Sequence, residues 1–427
     1  MTSVQLPFGH SSIPLQLPDH VAFGTLEPRA LPPVSDPQRA ILDALRNPIG
    51  APPLCEIVKP GESVAILVND VTRLVHSEVF LPVLIGELNR AGVPDQDIFI
   101  VFALGIHRSQ TADEQRAIVG DEIARRIKLY DHDCFDRGNL VHTGTTSRGN
   151  EVFINRRVWE ADRVILTGEI IYHLIAGYSG GRKSLVPGVA GAETVTLNHK
   201  LILDPRCRCG VLDGNPAHED LLEACALSEP DFLLNVVLNP RGQLLRVVCG
   251  HYDFAHRAGC ETVDQLYGAP LAELYDVVLA SAGGYPVDID LRQAHKGMEN
   301  AFHALKPGGT LIYFAECPDG SGSRAFEEWA ARYSSSEEMA EALRENFVVG
   351  GHKAYWMAKL GEQARIFLVS RLPELFVRRC HVIPASSPDE AVREAFSAEA
   401  GKLRVALMPY ANFTLPRTTG RSLRRSA

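Results

Sequence analysis

The sequence lacks an excess of basic residues, cysteine pairs at zinc-binding spacing, and any apolar run long enough to cross a membrane. Its net charge of -9 argues against a nucleic-acid-binding protein, because such proteins carry basic surfaces. Its nine cysteines are scattered, and only Cys207 and Cys209 are close, so we expect reduced thiols and no zinc site. No basic segment followed by an apolar core opens the chain, so we predict a cytoplasmic protein without a signal peptide.

With 427 residues, the chain is longer than a single hydrophobic core usually supports, so we expect two domains. Short apolar runs alternate with helical patterns, which predicts an α/β fold with largely parallel sheets. We place the boundary between an N-terminal α/β domain (1–268) and a C-terminal α/β domain (269–427) near Gly268-Ala-Pro270, because a fresh strand-turn-helix pattern follows it. The proline-rich first fifty residues are expected to form an irregular arm, and the last dozen a basic tail.

The apolar pattern predicts eight strands and five helices. The strands are residues 63–68, 97–103, 163–167, 232–238, 276–280, 310–314, 363–369 and 403–407. The helices are residues 77–91, 114–118, 194–203, 298–305 and 336–345. A capping box at residues 111–114 predicts a helix start just past His107. Pro307-Gly-Gly309 is expected to turn the chain into the strand at residue 310.

Polar residues follow the carboxyl ends of several predicted strands. They are residues 70–73 after the first strand, 107–108 after the second, 169–183 after the third and 283–285 after the fifth. Ligands of open parallel sheets bind at that edge. We therefore expect these loops to converge on a site.

Residues 177–184 nearly match the phosphate-binding loop G-x-x-x-x-G-K-[ST], ending at Lys183 and Ser184. Arg182, however, stands where the second glycine should be, and about ten residues separate the loop from the preceding strand. Three interpretations stay open: a nucleotide-dependent phosphoryl-transfer enzyme, a purely structural glycine turn, or a lysine that anchors a covalent group.

Three histidines follow or adjoin these loops. Each of His107, His173 and His199, taken alone, is more often a solvated or surface residue than a functional one. Together, His107 and His173 are able to flank a carbon centre, each exchanging a proton on one face. His199 is then a candidate metal ligand.

Candidates for binding an organic carboxylate are Arg73, Gln293 and Lys296, because a guanidinium binds such a group in bidentate fashion and an ammonium supplies a point charge. Solvated surface charge is the ordinary alternative. Trp356 offers an aromatic surface to a ligand, with a buried core tryptophan as the alternative.

At these positions the chain resembles the nickel-pincer lactate racemase family. The matching segments follow the family's order over residues 60–370: 70–73, 105–108, 173–188, Asn198-His199, 283–286, Gln293, Lys296, 351–353 and Trp356. A match distributed in this way is more specific than any single motif.

The resemblance implies two Rossmann-like α/β domains with the active site in the cleft between them. It also implies nickel held in pyridinium-3-thioamide-5-thiocarboxylic acid mononucleotide, the nickel-pincer nucleotide. The roles it implies are covalent attachment at Lys183, nickel ligation by His199, acid/base catalysis by His107 and His173, substrate binding by Arg73, Gln293 and Lys296, and cofactor binding by Asp70, Thr72, Ser179, Gly180, Gly181 and Trp356.

The activity implied is racemisation or epimerisation of a 2-hydroxy acid by proton-coupled hydride transfer, with lactate or another short 2-hydroxy acid as the favoured substrate. Malate is an alternative if His76, Arg108 or Arg292 receives a second carboxylate. The implied partners are the enzymes that build the cofactor by sulfur transfer and nickel insertion. A non-catalytic sugar-acid sensor on the same scaffold is a further alternative.

Overall fold

The computed structural model describes residues 2–17, 21–73, 75–397 and 403–418. The chain forms two compact units, which we call the large unit (Ala30–Leu266) and the small unit (Met1–Arg29 with Tyr267–Ala427). The boundary at Tyr267 adjoins the predicted one, but residues 1–29 belong with the C-terminal part of the chain rather than with the N-terminal domain. Most of the expected basic tail lies outside the described residues.

The first fifty residues are more regular than expected, because they contain a hairpin, a sheet strand and a helix. The strands of the chain are β1 Thr2–Phe8, β2 Ser11–Leu17, β3 Phe23–Thr25, β4 Val64–Asn69, β5 Ile98–Ala103, β6 Lys128–Asp131, β7 Leu140–Thr145, β8 Glu151–Asn155, β9 Arg163–Glu169, β10 Tyr172–His173, β11 Gly177–Tyr178, β12 Phe232–Leu238, β13 Leu244–Gly250, β14 Gly268–Leu271, β15 Tyr275–Ser281, β16 Leu305–Phe314, β17 Arg365–Val369, β18 Ile383–Ala385, β19 Val405–Met408 and β20 Leu415–Thr418.

Helices separate most of these strands, as expected of an α/β protein. They are α1 Pro37–Arg46, α2 Leu54–Ile57, α3 Ser77–Arg90, α4 Ala112–Val119, α5 Asp121–Arg126, α6 Arg156–Trp159, α7 Ala192–Lys200, α8 Pro216–Ala226, α9 Phe254–Tyr267, α10 Leu291–Phe302, α11 Arg324–Arg332, α12 Ser336–Glu345, α13 Gly351–Gln363, α14 Glu374–Arg379 and α15 Pro388–Ser397. In the part of the chain that the structure describes, no helix combines the length and apolar character that a bilayer crossing requires.

The large unit is built on a six-stranded sheet in the order β13–β12–β9–β4–β5–β6. Its pairs are parallel except for β12 with β13, which are antiparallel. The strands β4 and β12 are buried along nearly their whole length, which explains why they read as continuous apolar runs. Ile66, Phe80, Phe102 and Phe232 belong to one core that packs helices such as α3 against this sheet.

The small unit has a second six-stranded sheet, entirely parallel, in the order β18–β17–β16–β15–β19–β3. Strand β3 joins its edge beside β19, and the β1–β2 hairpin contributes Leu6 and Leu15 to the same core as Ile312 and Phe367. Burial of these leucines is the physical reason why residues 1–29 belong with the C-terminal part.

All eight predicted strands lie in these two sheets, and the predicted capping box is formed by Thr111 and Glu114. Two predictions were wrong in detail. Pro307-Gly-Gly309 lies within β16, where the pairing with β15 is irregular, rather than forming a separate turn. The helix predicted at 298–305 begins earlier, at Leu291, and ends at Phe302.

Candidate active site

Three loops of the large unit meet at one edge of its sheet, because β9, β4 and β5 are neighbours that run in the same direction. Asp70 follows β4, His107 follows β5, and β9 leads through Glu169 into the β10–β11 hairpin. The expected convergence of polar residues is therefore present within this unit.

Asp70 and His107 form a hydrogen-bonded pair across two of these loops. The Asp70 carboxylate is 4% exposed, and its Oδ1 accepts from the Thr72 amide (3.1 Å) and hydroxyl (2.6 Å) while its Oδ2 bonds His107 Nδ1. Burial raises the pKa of Asp70, but the hydrogen bonds from His107 and Thr72 outweigh it and lower that pKa overall. The ionised carboxylate fixes the proton of His107 on Nδ1 and leaves Nε2 as the basic nitrogen. In the described geometry, Asp70 and Thr72 thus orient His107.

His173 lies at the end of β10 and has the opposite tautomer. Its Nδ1 accepts from the backbone amides of Ile175 and Ala176, both at 3.2 Å, so the proton of the neutral ring is on Nε2. Burial, followed by the positive charge of Lys183, holds the pKa of His173 well below its usual value. The ring is therefore neutral at physiological pH.

Lys183 lies in a short 3₁₀ turn, Gly181–Ser184, with its Nζ 3.3 Å from His173 Nε2. Burial, and then the positive charges of Arg182 and Arg73, lower the pKa of Lys183 to about 7. A large fraction of this amine is uncharged at neutral pH. The amine lone pair is then able to accept the hydrogen bond from His173 and to act as a nucleophile.

The glycine turn before Lys183 is shaped by close packing. Gly180 and Gly181 have φ values of +69° and +57°, and an added Cβ would lie 2.7 Å from Asn235 Oδ1 or His256 Cγ, respectively. The Gly181 amide donates to Asn235 Oδ1 at 2.7 Å, so it is not directed at a phosphate. Ser179 bonds backbone groups of Glu169 and Ile171. These contacts give the three residues a role in shaping the turn and weigh against a phosphate cradle.

His199 lies on α7, and its Nδ1 donates to the Val195 carbonyl of the preceding turn at 2.8 Å. This bond fixes the tautomer whose lone pair is on Nε2, the form that ligates metals. Asn198, beside it, is buried and donates to Asp220 at 2.8 Å, which anchors the helix. Among the described residues, no group of three or more His, Cys, Asp or Glu side chains is placed to hold a metal. A metal at His199 would therefore need donors from a bound group.

Arg73, on the loop after β4, is exposed. Its positive charge lowers the pKa values of Glu169, His173 and Lys183. Sequence reasoning gave Glu169 no role of its own. Burial raises the pKa of Glu169 to about 8, opposed by the positive charge of Arg73. The carboxyl is thus a neutral acid at the end of β9. Glu169 stands out only because its carboxyl is buried, and burial of a single carboxyl leaves no pattern in the sequence.

In the small unit, Gln293 and Lys296 lie one turn apart on α10, and Lys296 Nζ donates to Gln293 Oε1 at 2.7 Å. The Asp290 carboxylate caps the helix by accepting a hydrogen bond from the backbone N–H of Gln293 at 2.8 Å. The predicted pair is thus brought together with its amide and ammonium groups side by side. This arrangement is able to present donors to a carboxylate.

Trp356, on α13, is half-buried, between the two predicted alternatives of a ligand surface and a core residue. Its Nε1 is buried without a hydrogen-bond partner in the described part of the chain. A buried indole N–H without an acceptor is costly in a closed interior, so it is typical of a position completed by a ligand or water. Lys359 Nζ lies 4.9 Å from the centroid of the indole ring.

A buried cluster on α10 and α13 was missed. His295 Nε2 lies 3.3 Å from Lys353 Nζ, and its Nδ1 bonds the Arg292 carbonyl at 2.8 Å. Burial lowers the pKa of Lys353 to about 7 and raises the pKa of Glu299 to about 8. Lys353 belongs to the 351–353 segment of the resemblance, but its partner His295 is distant in sequence.

Comparison with known proteins identifies the family of this chain. The lactate racemase N-terminal domain family matches residues 8–210, and the lactate racemase C-terminal domain family matches residues 272–411. A lactate racemase from Thermoanaerobacterium thermosaccharolyticum is 30% identical over 418 residues, covering 96% of this chain and 98% of the relative. A lactate racemase from Lactiplantibacillus plantarum is 31% identical over 420 residues, with the same coverage.

Solved structures give the same result. The lactate racemase apoprotein from T. thermosaccharolyticum superposes with a TM-score of 0.89 at 30% identity, covering 97% of this chain and all of that one (100%). A protein from Thermotoga maritima, 18% identical, shares the fold with a TM-score of 0.65 over 92% of this chain and 100% of its own. The mixed α/β fold with parallel sheets is therefore that of a solved lactate racemase. The chain belongs to the lactate racemase family and is an isomerase.

Proposed function

We propose that this chain racemises a 2-hydroxy acid, with lactate or another short 2-hydroxy acid as its substrate. The observation that carries the proposal is the pair His107 and His173, which have opposite tautomers. At Nε2, His107 presents a lone pair and His173 presents an N–H donor. Racemisation needs one group to take a proton and another to return one.

The described residues fit a covalently attached, metal-bearing group. Lys183 is a desolvated amine with a pKa of about 7, which suits it to bond an acyl carbon. His199 has the tautomer of a metal ligand, and Trp356 has a buried N–H without an acceptor. The group that matches these features is the nickel-pincer nucleotide implied by the resemblance.

We assign residues to this group as follows. Lys183 holds it covalently and His199 binds its nickel, while Trp356, Asp70, Thr72, Ser179, Gly180 and Gly181 remain its proposed neighbours. When bound, the group supplies an electron-poor ring that accepts the α-hydrogen of the substrate as hydride. Enzymes for sulfur transfer and nickel insertion are the proposed partners that supply it.

Two histidines move the hydroxyl proton. His107 accepts it at Nε2, and the Asp70 carboxylate stabilises the imidazolium that forms. His173 donates from Nε2 as an imidazolium, which requires its Nδ1 to gain a proton and leave the two backbone amides. Attachment at Lys183 favours this protonation, because a thioamide nitrogen, unlike an amine with a pKa of about 7, never carries the positive charge that lowers the pKa of His173.

Three residues are proposed to bind the substrate carboxylate. Lys296 and Gln293 present an ammonium and an amide side by side, and Arg73 offers a guanidinium. A fixed carboxylate keeps the substrate in place while the planar carbon presents its other face. Ordinary proton removal from this carbon is difficult because the carboxylate is already charged.

The alternatives are less well supported. Arg108 forms a bidentate pair with Glu114 and His76 bonds Glu78, so only Arg292, 3.7 Å from Asp290, remains of the three cations suggested for malate. Phosphoryl transfer lacks a cradle, because Asn235 occupies the Gly181 amide. An isomerase assignment also disfavours a sensor.

The decisive experiment uses cofactor-loaded enzyme with single enantiomers of lactate, malate and phenyllactate in heavy water. We expect loss of optical rotation with lactate while the α-hydrogen is retained, and an added mass on the Lys183 peptide. Lys183→Ala should abolish both, whereas Lys128→Ala, an exposed lysine of the same unit, should change neither. Rapid deuterium incorporation at the α-carbon, or full activity of Lys183→Ala, would contradict the proposal.

A further inference from the structure

Arg182 is fully buried, with 0% of its surface exposed, and has no carboxylate partner among the described residues. Its Nη2 donates to the carbonyls of Ala176 (2.8 Å) and Tyr178 (3.3 Å), while its Nε finds no hydrogen-bond partner in the part of the chain that the structure describes. His256 Nε2 lies 3.2 Å from Nη1, but it donates to the Ser179 carbonyl at 2.8 Å and so cannot also accept. Within the described residues, the hydrogen bonds that this guanidinium donates go to carbonyl oxygens, and no carboxylate forms an ion pair with it.

Groups near Arg182 do not neutralise it. Asp253 is paired with Arg257 at 2.9 Å, and both ring nitrogens of buried His218 lack hydrogen-bond partners among the residues described. Burial, followed by the charge of Arg182, lowers the pKa of His218 to about 2, so that ring stays neutral. The pKa of Arg182 itself falls to about 10 on burial, which still leaves it protonated at neutral pH. After burial, the charges of nearby groups also change the pKa of Arg182. Those of Cys260, Cys225 and Asp253 raise it, and that of Arg257 lowers it.

The next residue in the chain is Lys183, in the same short turn. Two positive charges in one buried turn repel each other, and the guanidinium is the harder of the two to deprotonate. We propose that Arg182 is a positioning residue whose buried charge acts together with the burial of Lys183 to keep that amine uncharged, and therefore ready to be acylated. This inference rests on the proposed function for the identity of the acylating group.

The step that Arg182 favours is formation of one bond at the lysine. The Lys183 nitrogen bonds the carbon of a thiocarboxylic acid, the carbon–oxygen bond breaks, and the oxygen leaves as water with one amine proton and the acid proton. No electrons are transferred, and the product is a thioamide. A protonated lysine lacks the lone pair that this step needs.

Other charged groups also act on the amine and must be separated from Arg182. The charge of Arg73 lowers the pKa values of both Lys183 and His173. The charges of Lys183 and His199 also lower the pKa of His173. Arg73 is exposed, so solvent screens its charge more than that of the buried guanidinium. We therefore expect removal of Arg182 to have the larger effect on Lys183.

The test measures the titration midpoint of Lys183 in apoprotein, by trace acetylation across pH and mass spectrometry of the peptide. We expect a wild-type midpoint near 7. Arg182→Met should raise it, because one of the two main causes of the low midpoint is removed while burial remains, so the uncharged fraction at neutral pH should fall about threefold or more. Arg182→Lys, which keeps a charge, should preserve the low midpoint. Arg206→Met, which removes an exposed arginine of the same unit, is the matched control and should change nothing.

Three results would overturn the inference. The first is a wild-type midpoint near that of free lysine. This result needs no variant, so the inference can be tested even if Arg182→Met fails to fold. An unchanged midpoint in folded Arg182→Met does so too. If Arg182→Lys loses the low midpoint as fully as Arg182→Met, the shape of the arginine matters rather than its charge. Absence of added mass on wild-type Lys183 after loading instead contradicts the proposed function and leaves the titration result standing.

Discussion

The Asp70 carboxylate bonds Nδ1 of His107, although the two residues are 37 positions apart and follow different strands. The carboxylate is buried and held ionised, while the His107 side chain is 46% exposed. A buried anion behind a solvent-facing imidazole is an arrangement that fixes the orientation and tautomer of the ring and leaves its outer nitrogen facing solvent. Together with the proposed acid/base role of His107, it predicts that Asp70 contributes to proton transfer.

Replacement of Asp70 by Asn should lower kcat by about 100-fold, because the amide can still bond His107 but cannot stabilise the imidazolium. KM for the hydroxy acid should change little. Steady-state kinetics of loaded enzyme measure both, with Asp113→Asn, an exposed acid on α4, as the control. Equal kcat values in Asp70→Asn and the wild type would show that His107 needs no carboxylate.

Much of the fold was predictable because buried parallel strands have strong local patterns. Strands β4 and β12 appear as apolar runs, and the site loops follow β4, β5 and β9, which were also predicted. Strand β3 was not predictable, because it has three residues and pairs with β19 far along the chain. Its position depends on tertiary packing alone.

The residues of the candidate site likewise fall into those that the sequence identified and those that only the folded structure reveals. His107, His173, Lys183 and His199 were identified because each stands in a recognisable loop or motif. The role of Asp70 in orienting His107 was missed, because the pairing depends on which strands are neighbours. The unbalanced charge of Arg182 and the neutral acid Glu169 depend on burial, which a sequence does not display.

Removal of the Lys183 amine should stabilise the apoprotein in a pH-dependent manner. The pKa of Lys183 is about 7 when folded, below its unfolded value, so the unfolded chain binds the proton more tightly. Wild-type stability therefore rises as the pH increases from about 7 toward the unfolded value near 10. Lys183→Met removes this dependence, so its advantage should be about 3 kcal/mol at pH 6 and should shrink by pH 9.

Urea unfolding of both apoproteins at several pH values measures this difference. Lys128→Met serves as the control, since it removes an exposed lysine of the same unit. A stability difference that stays constant from pH 6 to pH 9 would mean that Lys183 is not held uncharged.

Lys296→Met should raise KM about tenfold or more and change kcat less, since a hydrogen bond to a charged group typically contributes about 1.5–3 kcal/mol. The loss should be similar for hydroxy acids that share the carboxylate. Lys306→Met is the control, because Lys306 bonds Asp276 at 2.6 Å elsewhere in the small unit. If KM stays at the wild-type value in Lys296→Met, the carboxylate is bound by other residues.

Gly181→Ala should destabilise the large unit more than Gly214→Ala, although both glycines have positive φ values, +57° and +77°. An alanine in this region costs about 1 kcal/mol from backbone strain alone, and this cost is common to the two variants. At Gly214 an added Cβ meets nothing within 4 Å, whereas at Gly181 it lies 2.7 Å from the buried His256 ring. The additional cost at Gly181 should be about 1–3 kcal/mol, because a packed interior cannot yield without strain.

Chemical unfolding of the two variants measures the difference, and the Lys183 titration reports on the turn. Displacement of the turn in Gly181→Ala should move the Lys183 midpoint toward that of free lysine, while Gly214→Ala should keep the wild-type midpoint. Equal stability of the two variants would show that His256 moves aside freely. In that case the glycine at 181 is required only for its backbone conformation. The residues around the turn would then pack too loosely to hold Arg182 and Lys183 in the buried positions on which the low pKa of Lys183 depends.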